Sequence, residues 1–123
     1  MAAGIYNFTI EQGATFQRTF KYKDSTGTAI NLSNHTVRMQ LREFIDSTST
    51  IISLTESEGS NGSLLTVSGG DSNEIIVLIT ATDTALMTFD QAVYDLEIAD
   101  NTVGTVTRLL QGKVKLSKEV TRD

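Results

Sequence analysis

The stretch AVYDLEIADNTVGTVTRLLQGKVKL, residues 92–116, decides how this chain is read. Ala92, Tyr94, Leu96 and Ile98 alternate with Val93, Asp95 and Glu97, the period of two expected of a strand with one face on a core. Asp100-Asn101-Thr102-Val103-Gly104 supplies turn residues, and Val106, Arg108, Leu110, Val114 and Leu116 then share one parity. The segment predicts an antiparallel C-terminal hairpin.

The same alternation extends to the rest of the chain. Tyr6, Phe8 and Ile10 form one early strand pattern, and Phe16, Phe20 and Tyr22 another after Glu11-Gln12-Gly13. Asp24-Ser25-Thr26-Gly27 reads as a turn, because Asp and Ser bond the local backbone and Gly tolerates positive φ. Val37, Met39 and Leu41 oppose Thr36, Arg38, Gln40 and Arg42, which predicts a strand with a cationic outer face. Phe44 to Ser53 is polar apart from Ile45, Ile51 and Ile52, and Thr55 to Ser63, with Asn61-Gly62, reads as a loop or hairpin tip between strands at Ile51 to Leu54 and Leu64 to Val67. Ile75-Ile76-Val77-Leu78-Ile79, inside Glu74 to Thr80, is apolar on both faces and predicts a centrally placed strand. Thr82 is placed to cap a one- or two-turn helix over Asp83 to Met87, with Ala85, Leu86 and Phe89 packing inward.

Seven or eight short strands with turns every eight to twelve residues predict a mainly β fold. The expected form is an antiparallel β-sandwich, Ig-like or jelly-roll-like, with one short helix. At 123 residues and 13.4 kDa the chain is the size of one domain, taken as 1–123. With 39% hydrophobic and 20% charged residues it reads as globular. No apolar run approaches the roughly 20 residues that span a bilayer. Met1-Ala2-Ala3-Gly4 does not open a signal segment, so a soluble protein made in the cytoplasm, with no membrane partner, is expected.

Composition narrows the chemistry further. There are no cysteines and one histidine, His35, which rules out thiol catalysis and any multi-histidine metal site within one chain. His35 stands at the start of a strand with no nucleophile motif beside it, so a solvated turn histidine is the simpler reading and no enzyme is expected. Asp95 and Glu97, about 7 Å apart on one strand face, could pair as acid and base, but without tryptophan a sugar cleft is poorly supported. Asp71-Ser72-Asn73-Glu74 and Asp100-Asn101 offer oxygen ligands for calcium, yet match no helix–loop–helix pattern and are read as turns. Ser68-Gly69-Gly70 lacks the lysine and helix of a phosphate loop. Asn7, Asn31, Asn34 and Asn61 fit the glycosylation pattern and are read as coincidence in a chain with 29 serines and threonines. No cofactor is expected.

The charge of −5 is unevenly distributed. Residues 1–42 carry net +3, residues 43–104 carry −11 without one lysine or arginine, and residues 105–123 carry +3. An overall acidic chain is a poor nucleic-acid binder. The bases of the first and last strands, among them Arg38, Arg42, Lys113, Lys115 and Arg122, are the candidate interface, merging on one side with the acidic loops opposite. Arg18 and Arg108 share the parity of apolar neighbours, so each is expected to reach a sheet end or pair with a carboxylate such as Asp95 or Glu97.

Residues 20–32 (FKYKDSTGTAINL) and 36–42 (TVRMQLR) resemble the opening of small β-sandwich modules in tailed-phage structural proteins. Residues 93–98 (VYDLEI), 104–114 (GTVTRLLQGKV) and 119–122 (EVTR) are similar to the last hairpin of that group, and Thr82 to Leu86 stands where it has a short helix. The resemblance covers most of the chain except 44–63, and the nearest named group is the N-terminal domain of siphophage baseplate upper proteins. It implies a non-enzymatic virion component at a baseplate, neck or tail-fibre attachment point. Its partners would be other virion proteins and further copies of itself in a symmetric assembly. A capsid decoration or head-fibre protein is the structural alternative, and a carbohydrate-binding module the alternative from another class.

Overall fold

Alternation along the chain becomes a run of short strands in the computed structural model, which describes residues 4–68 and 73–121. In order these are β1 (Gly4–Ile5), β2 (Phe8–Glu11), β3 (Phe16–Lys21), β4 (His35–Arg42), β5 (Ile52–Leu54), β6 (Leu64–Ser68), β7 (Glu74–Ile79), the helix α1 (Ala81–Ala85), β8 (Gln91–Asp100) and β9 (Val106–Ser117). Strands β8 and β9 form the expected hairpin. Gly104 closes its turn at φ 77°, donating its N–H to the Asp100 carbonyl at 2.8 Å, a backbone conformation that strains residues with a Cβ.

The parity expected for β9 is broken once. Leu96 pairs with Leu110 but Glu97 pairs with Arg108, leaving Leu109 as the extra residue of a β-bulge. One unpaired residue exchanges the two faces for everything before it. Val114 and Leu116 are buried and Leu110 is half-buried, whereas Val106 and Arg108 are exposed. A one-residue irregularity in a ladder leaves no mark on an apolar period, so alternation alone assigned all five residues to one face.

The hairpin lies in a six-stranded sheet of order β1-β9-β8-β4-β5, with β2 pairing β9 on the same edge as β1. Since β1 and β2 share that edge, the described strands fill eight positions in two sheets. The other sheet is β3-β7-β6, wholly antiparallel, with the apolar β7 at its centre as expected. The N-terminal edge departs from the antiparallel expectation, because β1 and β2 both run parallel to β9. Gly112 makes this possible. A Cβ there would lie 2.2 Å from the Tyr6 carbonyl oxygen and 2.8 Å from Asn7 Oδ1, so only glycine lets the N-terminal segment lie against β9. Tyr94 Oη donates to that same Tyr6 carbonyl at 2.6 Å, and the Lys113 N–H donates to Asn7 Oδ1 at 2.8 Å.

The Thr55 to Ser63 segment is a crossover rather than a hairpin tip. β5 pairs with β4 in one sheet and β6 with β7 in the other, while the Leu65 N–H reaches back to the Thr55 carbonyl at 2.8 Å. The helix also differs from expectation. Thr80, not Thr82, is the N-cap, and Ala85 and Leu86 are exposed while Thr84, Met87 and Phe89 are buried. One turn is too short to build an apolar stripe, and its buried position goes to a hydroxyl instead. Thr84 Oγ1 donates to the Ala14 carbonyl at 2.8 Å and accepts from the Gly13 N–H at 3.1 Å, pinning α1 to the β2–β3 connection.

The two sheets meet over one apolar core. Aromatic rings join them. Phe8 of β2 stacks on Phe16 of β3 at 4.9 Å between ring centroids and lies 4.9 Å from Tyr94 of β8, while Tyr6 meets Phe20 of β3 edge-on at 5.2 Å.

Candidate interaction face

Burying one face of β4, β8 and β9 leaves the opposite face to water, and strand register arranges its side chains in rows. Arg38, Glu97 and Arg108 make one row, Gln40, Asp95 and Gln111 the next, and Arg42, Val93 and Lys113 a third; Lys115 lies opposite Gln91 beyond them. The bases of the first and last blocks are thus brought to one face, with the acids of β8 between them. Arg122 lies outside the described residues.

The acids are held by these bases. Arg38 Nε donates to Glu97 Oε1 at 2.9 Å, and Arg108 Nε lies 3.4 Å from Asp95 Oδ2 while its NH1 donates to Gln111 Oε1 at 3.2 Å. The bulge at Leu109 is what delivers Arg108 to this face, so the expected carboxylate pairing is met although the expected parity is not. Arg42 is fixed by the Ser47 carbonyl at 2.7 Å and Gln40 Oε1 at 3.0 Å. Half-burial pushes the Asp95 carboxyl above its ordinary range, with Glu97 adding to the effect and Arg108, Arg38 and Arg42 opposing it.

Across the face runs an open cleft of about 580 Å³, floored by Val93, Tyr94 and Gly112. Gln40, Arg42, Asp95, Arg108, Gln111 and Lys113 supply its polar groups. Two aliphatic side chains stand on its rim almost wholly in water, Ile5 at 77% and Ile45 at 87% exposure, and Phe44 beside Ile45 is 64% exposed. Sequence reasoning missed the rim because neither isoleucine belongs to an alternating run. The signal available was an isolated aliphatic residue with no periodic partner.

The other sequence candidates have structural work. Arg18 donates to the Tyr6 hydroxyl and lies over the Tyr6 and Phe16 rings, at 5.9 and 5.1 Å, instead of meeting a carboxylate. His35 Nε2 is 3.7 Å from Asp100 Oδ2, tying the start of β4 to the turn end of the β8–β9 hairpin. The other Asp100 oxygen accepts from the Thr102 and Val103 N–H groups at 2.8 and 3.2 Å, which holds this carboxyl below its ordinary range. Of the other acidic loop, Asp71 and Ser72 lie outside the described residues; the Asn73 carboxamide is buried on the Tyr22 carbonyl at 3.2 Å, and Glu74 lies 3.9 Å from Lys21. Gly69 and Gly70 also lie outside. Among the described residues no group of three or more His, Cys, Asp or Glu side chains is placed to hold a metal ion, and no helix is long and apolar enough to cross a membrane.

All four glycosylation-pattern asparagines are hydrogen-bonded within the chain. Asn7 accepts from the Lys113 N–H, Asn31 accepts from the Ser33 N–H at 2.8 Å, Asn34 donates to the Thr102 hydroxyl, and Asn61 donates to Asp83 Oδ1 at 2.8 Å. The chain matches no protein-family model and no curated protein.

Proposed function

We propose that this chain is a non-enzymatic structural protein of a tailed-phage virion, an adaptor at the baseplate, neck or tail-fibre attachment point that works through protein–protein contacts. It would be made in the host cytoplasm and act in the virion. The observation that carries the contact-based role is the open cleft on the large sheet, rimmed by Ile5 and Ile45 at 77% and 87% exposure. Exposed aliphatics around a groove of ordered arginines and glutamines form a surface whose burial by another protein is favourable, at about 25 cal/mol per Å² of apolar area. Virion assignment rests on the resemblance of residues 20–32, 36–42, 93–98 and 104–114 to phage sandwich modules. Three of these four segments include parts of β4, β8 and β9, the strands that carry the face.

Mass spectrometry of purified virions from the phage that encodes the chain tests this reading. Peptides of the chain at a fixed ratio to the major tail proteins are expected, and cryo-EM density for a two-sheet module at the tail would place it. Intact, infectious particles without the chain would refute the virion role.

A further inference from the structure

We infer that the cleft face docks a second copy of this chain, two large sheets meeting face to face about a two-fold axis with the Glu43–Asp46 loop of each copy entering the cleft of the other. This narrows the protein–protein reading above and rests on it only for the use of this face.

The first support is the pattern of charges that find no partner among the described residues of one copy. Glu43 and Asp46 flank the exposed Phe44 and Ile45, and among the described residues neither makes an ion pair or hydrogen bond. Lys113, in the cleft wall, donates its backbone N–H to Asn7, but its ammonium likewise has no ion pair, nor has that of Lys115 one strand step away. By contrast Arg38, Arg42, Arg108, Asp95 and Glu97 on the same face are all engaged. Unpaired acids and unpaired bases therefore border the same apolar rim in one molecule, and a two-fold operation brings the acids of each copy to the bases of the other.

A second support comes from the cleft. Arg42, Arg108 and Lys113 outnumber Asp95 along its lining, so an acidic loop is the complementary occupant in a chain whose overall charge is −5. Ile45 lines its own cleft, so in an isologous contact it meets the same residues from the partner's side. Ile5, Phe44 and Ile45 supply the apolar centre that charge alone would not.

Sedimentation equilibrium of the purified chain, over a concentration series at low and high salt, tests the proposal. A reversible monomer–dimer equilibrium that weakens with salt is expected. Ile45→Asp should weaken dimerisation by about tenfold or more, and as this side chain is almost fully exposed the circular dichroism spectrum should not change. Lys113→Glu should also weaken it, and combining Lys113→Glu with Asp46→Lys should restore it. Thr66→Lys, on the small sheet, should have no effect.

Three results would overturn the two-fold contact: a monomer at every concentration, a dimer indifferent to Ile45→Asp and Lys113→Glu, or a dimer broken by Thr66→Lys. The first of these leaves the cleft to a different chain. None of them bears on incorporation into virions, which the particle measurement reads separately.

Discussion

Tyr94 shows how a single side chain can report on the packing of the whole N-terminal edge. Burial, with a further contribution from Tyr6, pushes its phenol up to about 12, and its hydroxyl proton is committed to the Tyr6 carbonyl. A raised acid favours its neutral form in the folded state, so this stabilisation is complete below the ordinary tyrosine value of 10 and is lost as pH rises from 10 through 12. Ultraviolet titration should show the Tyr94 phenol ionising late, with loss of fold accompanying it. Tyr94→Phe removes the donor to the Tyr6 carbonyl and should cost about 1–3 kcal/mol in denaturant unfolding.

Asp95 behaves in the same sense at a lower pH. Its carboxyl is raised by burial, so ionising it opposes folding above the ordinary carboxylate range. Asp95→Asn should therefore melt at the same temperature as the parent or slightly higher at pH 7, despite losing the Arg108 contact. The difference should vanish at acidic pH, where Asp95 is protonated in both states; a variant much less stable at pH 7 would contradict this. At Gly112 the limit is steric. Gly112→Ala sets a methyl group against the Tyr6 carbonyl and should cost about 1–3 kcal/mol, with faster hydrogen exchange along β1 and β2.

At the scale of elements, strands were readable and their faces largely so, because a period of two is written directly into apolar spacing. Val37, Met39 and Leu41 in β4 are buried as their alternation implies, while β7, apolar on both faces, buries Ile75, Val77 and Ile79 and leaves Ile76 and Leu78 half-buried. Failures occur where a local hydrogen-bond choice overrides spacing. Thr80 outcompetes Thr82 as the cap because its hydroxyl also donates to the Asn61 carbonyl at 2.9 Å, a contact between segments far apart in sequence. Leu109 is the other case. Deleting Leu109 leaves Leu96–Leu110 and Glu97–Arg108 as successive regular pairs, so the chain should still unfold cooperatively and lose no more than about 2 kcal/mol for one half-buried leucine. Loss of cooperative unfolding on that deletion would show that the bulge is required for the fold.

Over the whole molecule, the aromatic contacts among Phe8, Phe16 and Tyr94 tie the two sheets into one cooperative unit. Phe8→Ala should lower stability by about 3–5 kcal/mol while near- and far-ultraviolet signals continue to fall in one transition. Two separated transitions would mean that the sheets unfold independently. The sequence by itself determined the β-sandwich class, most strand positions, the Asp24–Gly27 and Asp100–Gly104 turns and the uneven charge blocks, since these follow from neighbours a few residues apart. It also marked Arg38, Arg42, Lys113 and Lys115 as bases to watch. Only the tertiary structure decided that β1 and β2 run parallel to β9, that the acids of β8 lie between two rows of bases, and that Ile5 and Ile45 border one cleft. Spacing along a chain encodes which face a residue takes. It carries no record of strand order, strand direction or a one-residue bulge, which are set when segments about a hundred residues apart come to share hydrogen bonds.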